Sequence, residues 1–150
     1  MDSHKLVSQT FMKNYLSKSK PNQFIHFHQR LEKVYEGHTD SVDQLCWHPA
    51  NNDLFATASG DKSVRIWDCR TQKCVSVVNT KGENINISWS PNGAHIAVGN
   101  KEDLVSFIDV KSGQIIQEQE YKFEVNEIRW DPTNKYFYVT NGEGLIQVHE

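Results

Sequence analysis

The stretch 38–61 contains a histidine, a carboxylate and hydroxyl groups, which are the residue types of a hydrolase triad. His38 and Asp61 supply the first two groups. The hydroxyl would be that of Thr57 or Ser59. A catalytic serine needs an exposed hydroxyl with an oxyanion hole beside it. The chain has no G-x-S-x-G sequence, and Ser59-Gly60-Asp61 is typical of a turn between two strands. We therefore expect no catalytic residues and no enzyme activity.

Two further sets of residues could bind a metal ion, but neither makes a complete site. His26 and His28 are separated by one residue, and two histidines alone leave a zinc ion short of ligands. Cys46, Cys69 and Cys74 lack the paired spacing of a zinc site. No phosphate-binding G-x-x-x-x-G-K-[ST] sequence occurs. We therefore expect no metal, no cofactor and no small-molecule substrate. Reduced thiols would suit the nucleus or the cytosol.

The elements that would position these side chains recur with a regular period. Three tryptophans each follow alternating apolar residues and precede x-Pro, and they are Trp47, Trp89 and Trp130. Positions 47, 89 and 130 lie 42 and 41 residues apart. The alternation predicts a strand with one buried face, and the proline ends that strand because it has no backbone donor. The chain therefore contains a repeat of about 40 residues.

Each period has room for four short strands. The first unit continues with the strands LFATAS, SVRIWD and CVSVV, and the second with HIAVG, LVSFIDV and QIIQE. The third continues with YFYVT and LIQVH, joined through Asn141-Gly142, a dipeptide favoured in tight hairpins. Four antiparallel strands per ~40 residues make one blade of a propeller. We predict an all-β fold, an incomplete β-propeller of about three blades of four-stranded antiparallel sheet.

The boundaries follow from the same pattern. Residues 30–150 are assigned to the partial propeller, and 30–36 to a strand of a preceding blade. The blades are predicted at roughly 37–79, 80–120 and 121–150. Propellers typically close with about four to eight blades, so we expect a fragment, a truncated product or a unit that pairs with other blades. Residues 1–29 show no blade pattern and are predicted to be a disordered leader or a short amphipathic helix.

The first unit resembles the WD repeat. Gly37-His38 precedes the first strand, Asp61 lies in a later turn, and Trp67-Asp68 ends the third strand. The resemblance implies a buried hydrogen-bonded network, which is structural and not catalytic. Its members here would be His38, Thr57, Asp61 and Trp67. Ser59 is the alternative to Thr57, because alternate residues of a strand point to the same side. A buried carboxylate is costly unless it is hydrogen-bonded, which such a network would achieve.

The second and third units depart from this pattern. Lys81–Asn84 replaces the Gly-His region of the second unit, and Ile108-Asp109 replaces Trp-Asp. In the third unit, Lys122–Glu124 and Val148-His149 stand in those places. Neither unit can build the four-member network, so we expect apolar packing to hold these blades.

Within the WD-repeat family, one run has a narrower resemblance. SGDKSVRIWD, NTKGENINISWSPNG and FEVNEIRW are similar to the WD-repeat subunit of the THO/TREX assembly, over about residues 30–149. This resemblance implies a nuclear scaffold that contacts other THO/TREX subunits and couples transcription to mRNA processing and export, with RNA bound indirectly. Propeller loops usually carry the binding surfaces. They are here Gly37–Asp40, Asp61–Lys62, Lys81–Asn84 and Lys101–Asp103. The alternatives are a cytoplasmic location and another adaptor role, as a ubiquitin-ligase substrate receptor or a splicing scaffold.

The net charge of −3 is unevenly divided. Residues 1–30 hold five Lys or Arg and one acidic residue, giving +4, whereas residues 31–150 hold eleven and eighteen, giving −7. The repeats therefore lack the clustered cations that a broad phosphate-binding surface needs. Direct RNA binding through the basic leader stays an alternative. No apolar run approaches the roughly 18 residues of a membrane span, so no membrane partner is expected.

Overall fold

The computed structural model describes residues 33–150, and within that range the chain forms eleven β-strands in three sheets. The first sheet, blade 1, contains β1 (Val42–Trp47), β2 (Leu54–Ser59), β3 (Ser63–Asp68) and β4 (Lys73–Asn79). Blade 2 contains β5 (Asn84–Trp89), β6 (His95–Asn100), β7 (Leu104–Asp109) and β8 (Gln114–Glu120). Blade 3 contains β9 (Val125–Trp130), β10 (Phe137–Asn141) and β11 (Ile146–His149).

Within each blade, strands that follow one another in sequence pair antiparallel, so each sheet is a meander. The register is equivalent in the three blades: Trp47 lies opposite Phe55, and Trp89 opposite Ile96. In blade 3, Trp130 lies opposite Phe137. The prediction of an all-β, incomplete propeller is confirmed, with two four-stranded sheets and one of three strands among the described residues.

The turn between the second and third strands has the same geometry in each blade. Its third residue has a positive φ, at Lys62 (64°), Asp103 (59°) and Gly144 (82°). In blade 2 the side-chain oxygen of Asn100 accepts hydrogen bonds from the N–H groups of residues 102 and 104, each at 3.0 Å. Asn141 does the same in blade 3 for residues 143 and 145. These side chains fix the hairpin by pairing turn donors that the ladder leaves unpaired.

The blades stack face against face, and the core lies between them. Between blades 1 and 2 the core is formed by Cys46, Ala56, Ala58, Val64, Ile66, Val78, Ile87, Trp89, Ile96, Val98 and Ile108. Between blades 2 and 3 it is formed by Ala97, Val105, Val125, Ile128, Phe137 and Val139. Since both faces of blade 2 are covered, β6 has buried apolar residues on both sides, with Ile96 and Val98 in one core and Ala97 in the other, as in other sheets buried on two faces.

The segment before blade 1 differs from its prediction. Residues 33–36, the described part of the strand expected at 30–36, form no strand. A strand needs a hydrogen-bonding neighbour, and no described strand pairs with this segment. Tyr35 instead packs edge-on against Phe55 and Trp67, with ring centroids 5.1 and 5.7 Å apart. The leader at 1–29, with His26 and His28, lies outside the described residues.

Candidate functional site

Four side chains of blade 1 meet in a continuous hydrogen-bonded network around His38. The histidine precedes β1, Thr57 lies on β2, Asp61 in the β2–β3 turn and Trp67 on β3. The Nδ1 of His38 is 2.8 Å from Oδ2 of Asp61, and its Nε2 is 2.7 Å from Oγ1 of Thr57. The indole Nε1 of Trp67 donates to the same Oγ1 at 2.9 Å. The structure therefore brings together all four residues of the expected network.

With the His38 ring neutral, the chemistry of the four groups gives each hydrogen bond a direction. A carboxylate only accepts, so His38 Nδ1 carries the proton donated to Asp61. Nε2 of the neutral ring is then an acceptor, and the Thr57 hydroxyl donates to it. An indole N–H only donates, so Trp67 donates to Thr57. Every donor in the series Trp67, Thr57, His38 has one acceptor, and the network is satisfied without water.

Asp61 ends this series and has further partners. The Ser63 hydroxyl donates to its Oδ1 at 2.6 Å, and the Thr39 N–H donates to its Oδ2 at 3.1 Å. Burial alone would raise the pKa of the Asp61 carboxyl, but the hydrogen bonds from Ser63, His38 and Thr39 together outweigh it. The pKa of Asp61 therefore lies well below its usual range, and the carboxylate stays ionised in the fold.

Alternation does not decide whether Thr57 or Ser59 belongs to the network. The distance of each residue from the turn decides it. Ser59 is the last residue of β2, and its Oγ accepts the N–H of Asp61 at 3.1 Å within the turn. Thr57 lies one strand period further from the turn, where β2 passes both His38 and Trp67. Of these two residues, only Thr57 has a hydroxyl group that contacts both the histidine and the indole.

Blade 3 contains a smaller form of this network with two members. A tyrosine takes the place of the histidine, and a histidine takes the place of the tryptophan. In blade 1 the Gly60 N–H donates to Ser41 O, and in blade 3 the Gly142 N–H donates to Glu124 O at the equivalent place. The residue three positions before the acceptor is His38 in blade 1 and Tyr121 in blade 3. The register places His149 opposite Phe137, as Trp67 lies opposite Phe55. The equivalent of Trp67-Asp68 is thus His149-Glu150, and the sequence alignment to Val148-His149 was wrong by one residue.

The exchanged pair makes direct contact. Tyr121 OH lies 3.2 Å from His149 Nε2, and the two rings are 5.7 Å apart at 74°. The rings of His38 and Trp67 are 6.0 Å apart at 61° in blade 1. Burial raises the pKa of the Tyr121 hydroxyl. In blade 2 the corresponding residues are Thr80 and Ile108, which build no such pair, so its stability rests on the two cores beside it.

The three repeat tryptophans end the innermost strand of each blade, and those of blades 2 and 3 pack against the preceding blade. Trp89 is buried and packs against His48 of blade 1, with ring centroids 4.7 Å apart. Trp130 packs against Phe107 of blade 2 at 6.0 Å. Trp47 contacts Phe55 of its own blade and is 55% exposed. The three tryptophans therefore hold equivalent positions, and among the described residues two of them, Trp89 and Trp130, stack one blade on another.

The network holds the loops at one end of the blades. All of the expected binding loops lie at this end, which we call the loop surface. They are Gly37–Asp40, Asp61–Lys62, Lys81–Asn84 and Lys101–Asp103. Lys101 pairs with Glu83 at 2.5 Å, and Lys81 pairs with Glu118. The pKa of Lys101 is raised, first by its hydrogen bond to Glu83 and also by nearby Asp43 and Asp40. The loop surface is thus polar, rigidly supported and rich in carboxylates.

Among residues 33–150, no group of three or more His, Cys, Asp or Glu is placed to hold a metal ion. In the same part of the chain, no helix has the length and apolarity needed to cross a membrane. Cys46 is buried, whereas Cys69 and Cys74 are half-buried, and none of the three forms a disulfide bond with a described residue.

Comparison with known proteins agrees with the blade geometry. Residues 29–68 match the family described as WD domain, G-beta repeat, and residues 79–132 match the anaphase-promoting complex subunit 4 WD40 domain. Together with three stacked antiparallel sheets, these matches show that the chain belongs to the WD-repeat family.

Among individual proteins, the chain is similar to THO complex subunit 3 of Arabidopsis thaliana. The two are 48% identical over 124 residues, which is 82% of this chain and 39% of the relative. It is also 35% identical over 118 residues to the WD repeat-containing protein AAC3 of Dictyostelium discoideum, covering 77% of this chain and 24% of that protein. The chain therefore spans well under half the length of these relatives.

Proposed function

We propose that this chain is a non-catalytic protein-interaction scaffold of the THO/TREX type, which helps couple transcription to mRNA processing and nuclear export. The main observation in support of the scaffold role is the hydrogen-bonded network of His38, Thr57, Asp61 and Trp67. It ties the loop before β1 to the β2–β3 turn. A rigid frame under polar loops is what a protein-binding surface needs, because pre-ordered loops lose less entropy on binding.

The same network argues against hydrolysis. Thr57 is 5% exposed, and its oxygen already accepts the Trp67 N–H while its proton goes to His38. A nucleophile must instead be reachable by substrate with its lone pair free. The residue types of a triad therefore serve structure in this blade, and we propose no enzyme activity.

The proposed partners rest on similarity. THO complex subunit 3 is named as a subunit of a complex, and 82% of this chain aligns with it at 48% identity. We propose that other THO/TREX subunits bind the loop surface in the nucleus, and that RNA is reached through them. The acidic balance of residues 31–150 favours protein partners over phosphate backbones.

The test is affinity purification of the full chain from nuclear extract, followed by mass spectrometry. THO subunits should co-purify with the wild type. Glu83→Lys, which reverses a charge on the loop surface, should reduce their recovery. Lys111→Glu reverses a charge in the β7–β8 turn at the opposite end of the blades, and recovery should be unchanged. Absence of THO subunits from the wild-type sample would contradict the proposed assembly.

Two alternatives have their own support. The match to the anaphase-promoting complex subunit 4 WD40 domain keeps another adaptor role open, such as a ubiquitin-ligase substrate receptor or a splicing scaffold. It predicts subunits of those assemblies in the same purification. The +4 charge of residues 1–30 supports direct RNA binding. If that is correct, deleting residues 1–29 abolishes a salt-sensitive RNA interaction; unchanged RNA association rules it out.

A further inference from the structure

The outer edge of β4 differs from a protected sheet edge. β4 is the outermost strand of blade 1 and pairs only with β3 among the described strands. In an antiparallel sheet, alternate N–H and C=O groups of an edge strand point away from its neighbour. Such groups form a template for another extended chain unless charge or a bulge blocks it.

β4 lacks the charges that usually protect an edge, and its one register shift against β3, at Val75, leaves the run from Ser76 to Asn79 regularly paired. From Cys74 to Val78 it has five consecutive uncharged residues, three of them valine. Val75 is 55% exposed and Val77 49% exposed. β8 holds the equivalent position in blade 2, and it has Glu118 and Glu120 in its second half. The chain thus protects one outer edge and leaves the other open, although both strands have seven residues.

A groove lies beside the open edge. It has a volume of about 340 Å³ and separates β4 from the beginning of β8. Its lining residues are Val77, Val78, Asn79, Gly113, Gln114 and Ile115. A space of this size, at the lower end of the range for binding pockets, can take one or two side chains of an added strand.

Lysines flank both ends of the edge. Lys73 is the first residue of β4, and the carbonyl of Lys62 accepts the N–H of Thr80 directly after its last residue, at 2.8 Å. Neither lysine forms an ion pair with a described residue. Carboxylates of a bound segment would complement these two charges.

From these observations we propose that the outer edge of β4 binds an extended segment of a partner protein as an added strand. The segment has alternating apolar residues in its centre and acidic residues at both ends. Backbone hydrogen bonds to β4 supply affinity, while the exposed Val75 and Val77 select the apolar side chains. This inference rests on the proposed scaffold function and adds a binding surface distinct from the loop surface.

The test uses the full chain and a fluorescein-labelled peptide, EEVTVTVEE, as the probe. We expect saturable binding by anisotropy and slower amide hydrogen exchange at Lys73–Asn79. Val75→Glu places a charge on the edge and should weaken binding about tenfold or more. Ile116→Glu is the matched control, because Ile116 is 57% exposed on the β8 edge. It should change affinity by less than about twofold.

Peptide controls separate strand addition from simple charge attraction. EEVTPTVEE cannot complete the ladder because proline lacks an N–H, and it should not bind. KKVTVTVKK should bind more weakly than the acidic peptide. Equal binding of the proline peptide, protection away from Lys73–Asn79, or no effect of Val75→Glu would overturn the proposal. Self-association that Val75→Glu abolishes would also overturn it, by assigning the edge to a second copy.

The same variant distinguishes this inference from the scaffold proposal. If the scaffold role fails, no THO subunit co-purifies with the wild type. If only the edge proposal fails, the wild type and Val75→Glu recover the same subunits in the same amounts. Circular dichroism and the thermal midpoint of Val75→Glu should match the wild type, since the side chain is exposed.

Discussion

Replacing Thr57 by valine separates the hydrogen bonds of the blade 1 network from its packing. Valine has nearly the shape of threonine, and the equivalent positions of blades 2 and 3 are Val98 and Val139. The substitution removes the oxygen that accepts from Trp67 and the proton that His38 receives. Two polar groups thus lose their partners while the packing stays nearly constant.

The expected loss follows from the burial of those two groups. The Trp67 side chain is almost wholly buried, and the side chain of His38 is 6% exposed. An unsatisfied buried group costs about 1–3 kcal/mol. Water can reach the histidine in part, so we expect the free energy of unfolding to fall by about 2–4 kcal/mol in total.

Urea unfolding followed by tryptophan fluorescence and circular dichroism measures this loss. Ser59→Ala is the control: it removes the hydrogen bond from the Asp61 N–H without changing a contact of His38 or Trp67, and it should cost about 1 kcal/mol. Trp67→Phe and Thr57→Val should be less than additive, with a coupling of about 1–2 kcal/mol, because both break the same bond. A loss below about 0.5 kcal/mol for Thr57→Val, or full additivity, would refute the network as a source of stability.

Three further expectations concern other residues. The folded-state pKa of Asp61 is lowered, so its stabilisation is present above the usual carboxylate range and is lost as pH falls below about 4. Asp61→Asn should flatten that decline in urea titrations, and an unchanged slope would contradict this. Burial raises the pKa of Cys46 to about 12, so at pH 8 maleimide should label Cys69 well before Cys46. Equal labelling rates would oppose it. A methyl group on Gly99 would lie 2.2 Å from Oδ1 of buried Asn86. Gly99→Ala should therefore cost about 1–3 kcal/mol, and Asn86→Ala should relieve much of that cost; no relief would exclude the clash.

Period-2 alternation and turn residues were sufficient to place most strands. LFATAS and SVRIWD match β2 and β3 residue for residue, because each is bounded by a turn and has the composition of a buried strand. The segment at 30–36 has the composition of a short strand, with Val34 and Tyr35, yet its described part forms no strand. Composition and alternation indicate which residues can form a strand, but they do not report whether a neighbouring strand is present.

The site was harder to predict where distance mattered more than side-chain direction. Thr57 and Ser59 were indistinguishable by alternation, and only the position of His38 separates them. The Tyr121–His149 pair was missed because the third unit was aligned by its final residues. Aligning the three turns at Ser59, Asn100 and Asn141 would have placed His149 opposite Phe137. The signal was therefore in the sequence, at the turns.

Nuclear Overhauser contacts between aromatic rings test the central claim most directly, namely that evenly spaced tryptophans mark equivalent positions in stacked sheets. We expect cross-peaks from Trp89 to His48 and from Trp130 to Phe107, both between blades, and from Trp47 to Phe55 within one blade. Absence of both inter-blade cross-peaks in the folded chain, with intact intra-blade contacts, would show that the sheets do not stack as described.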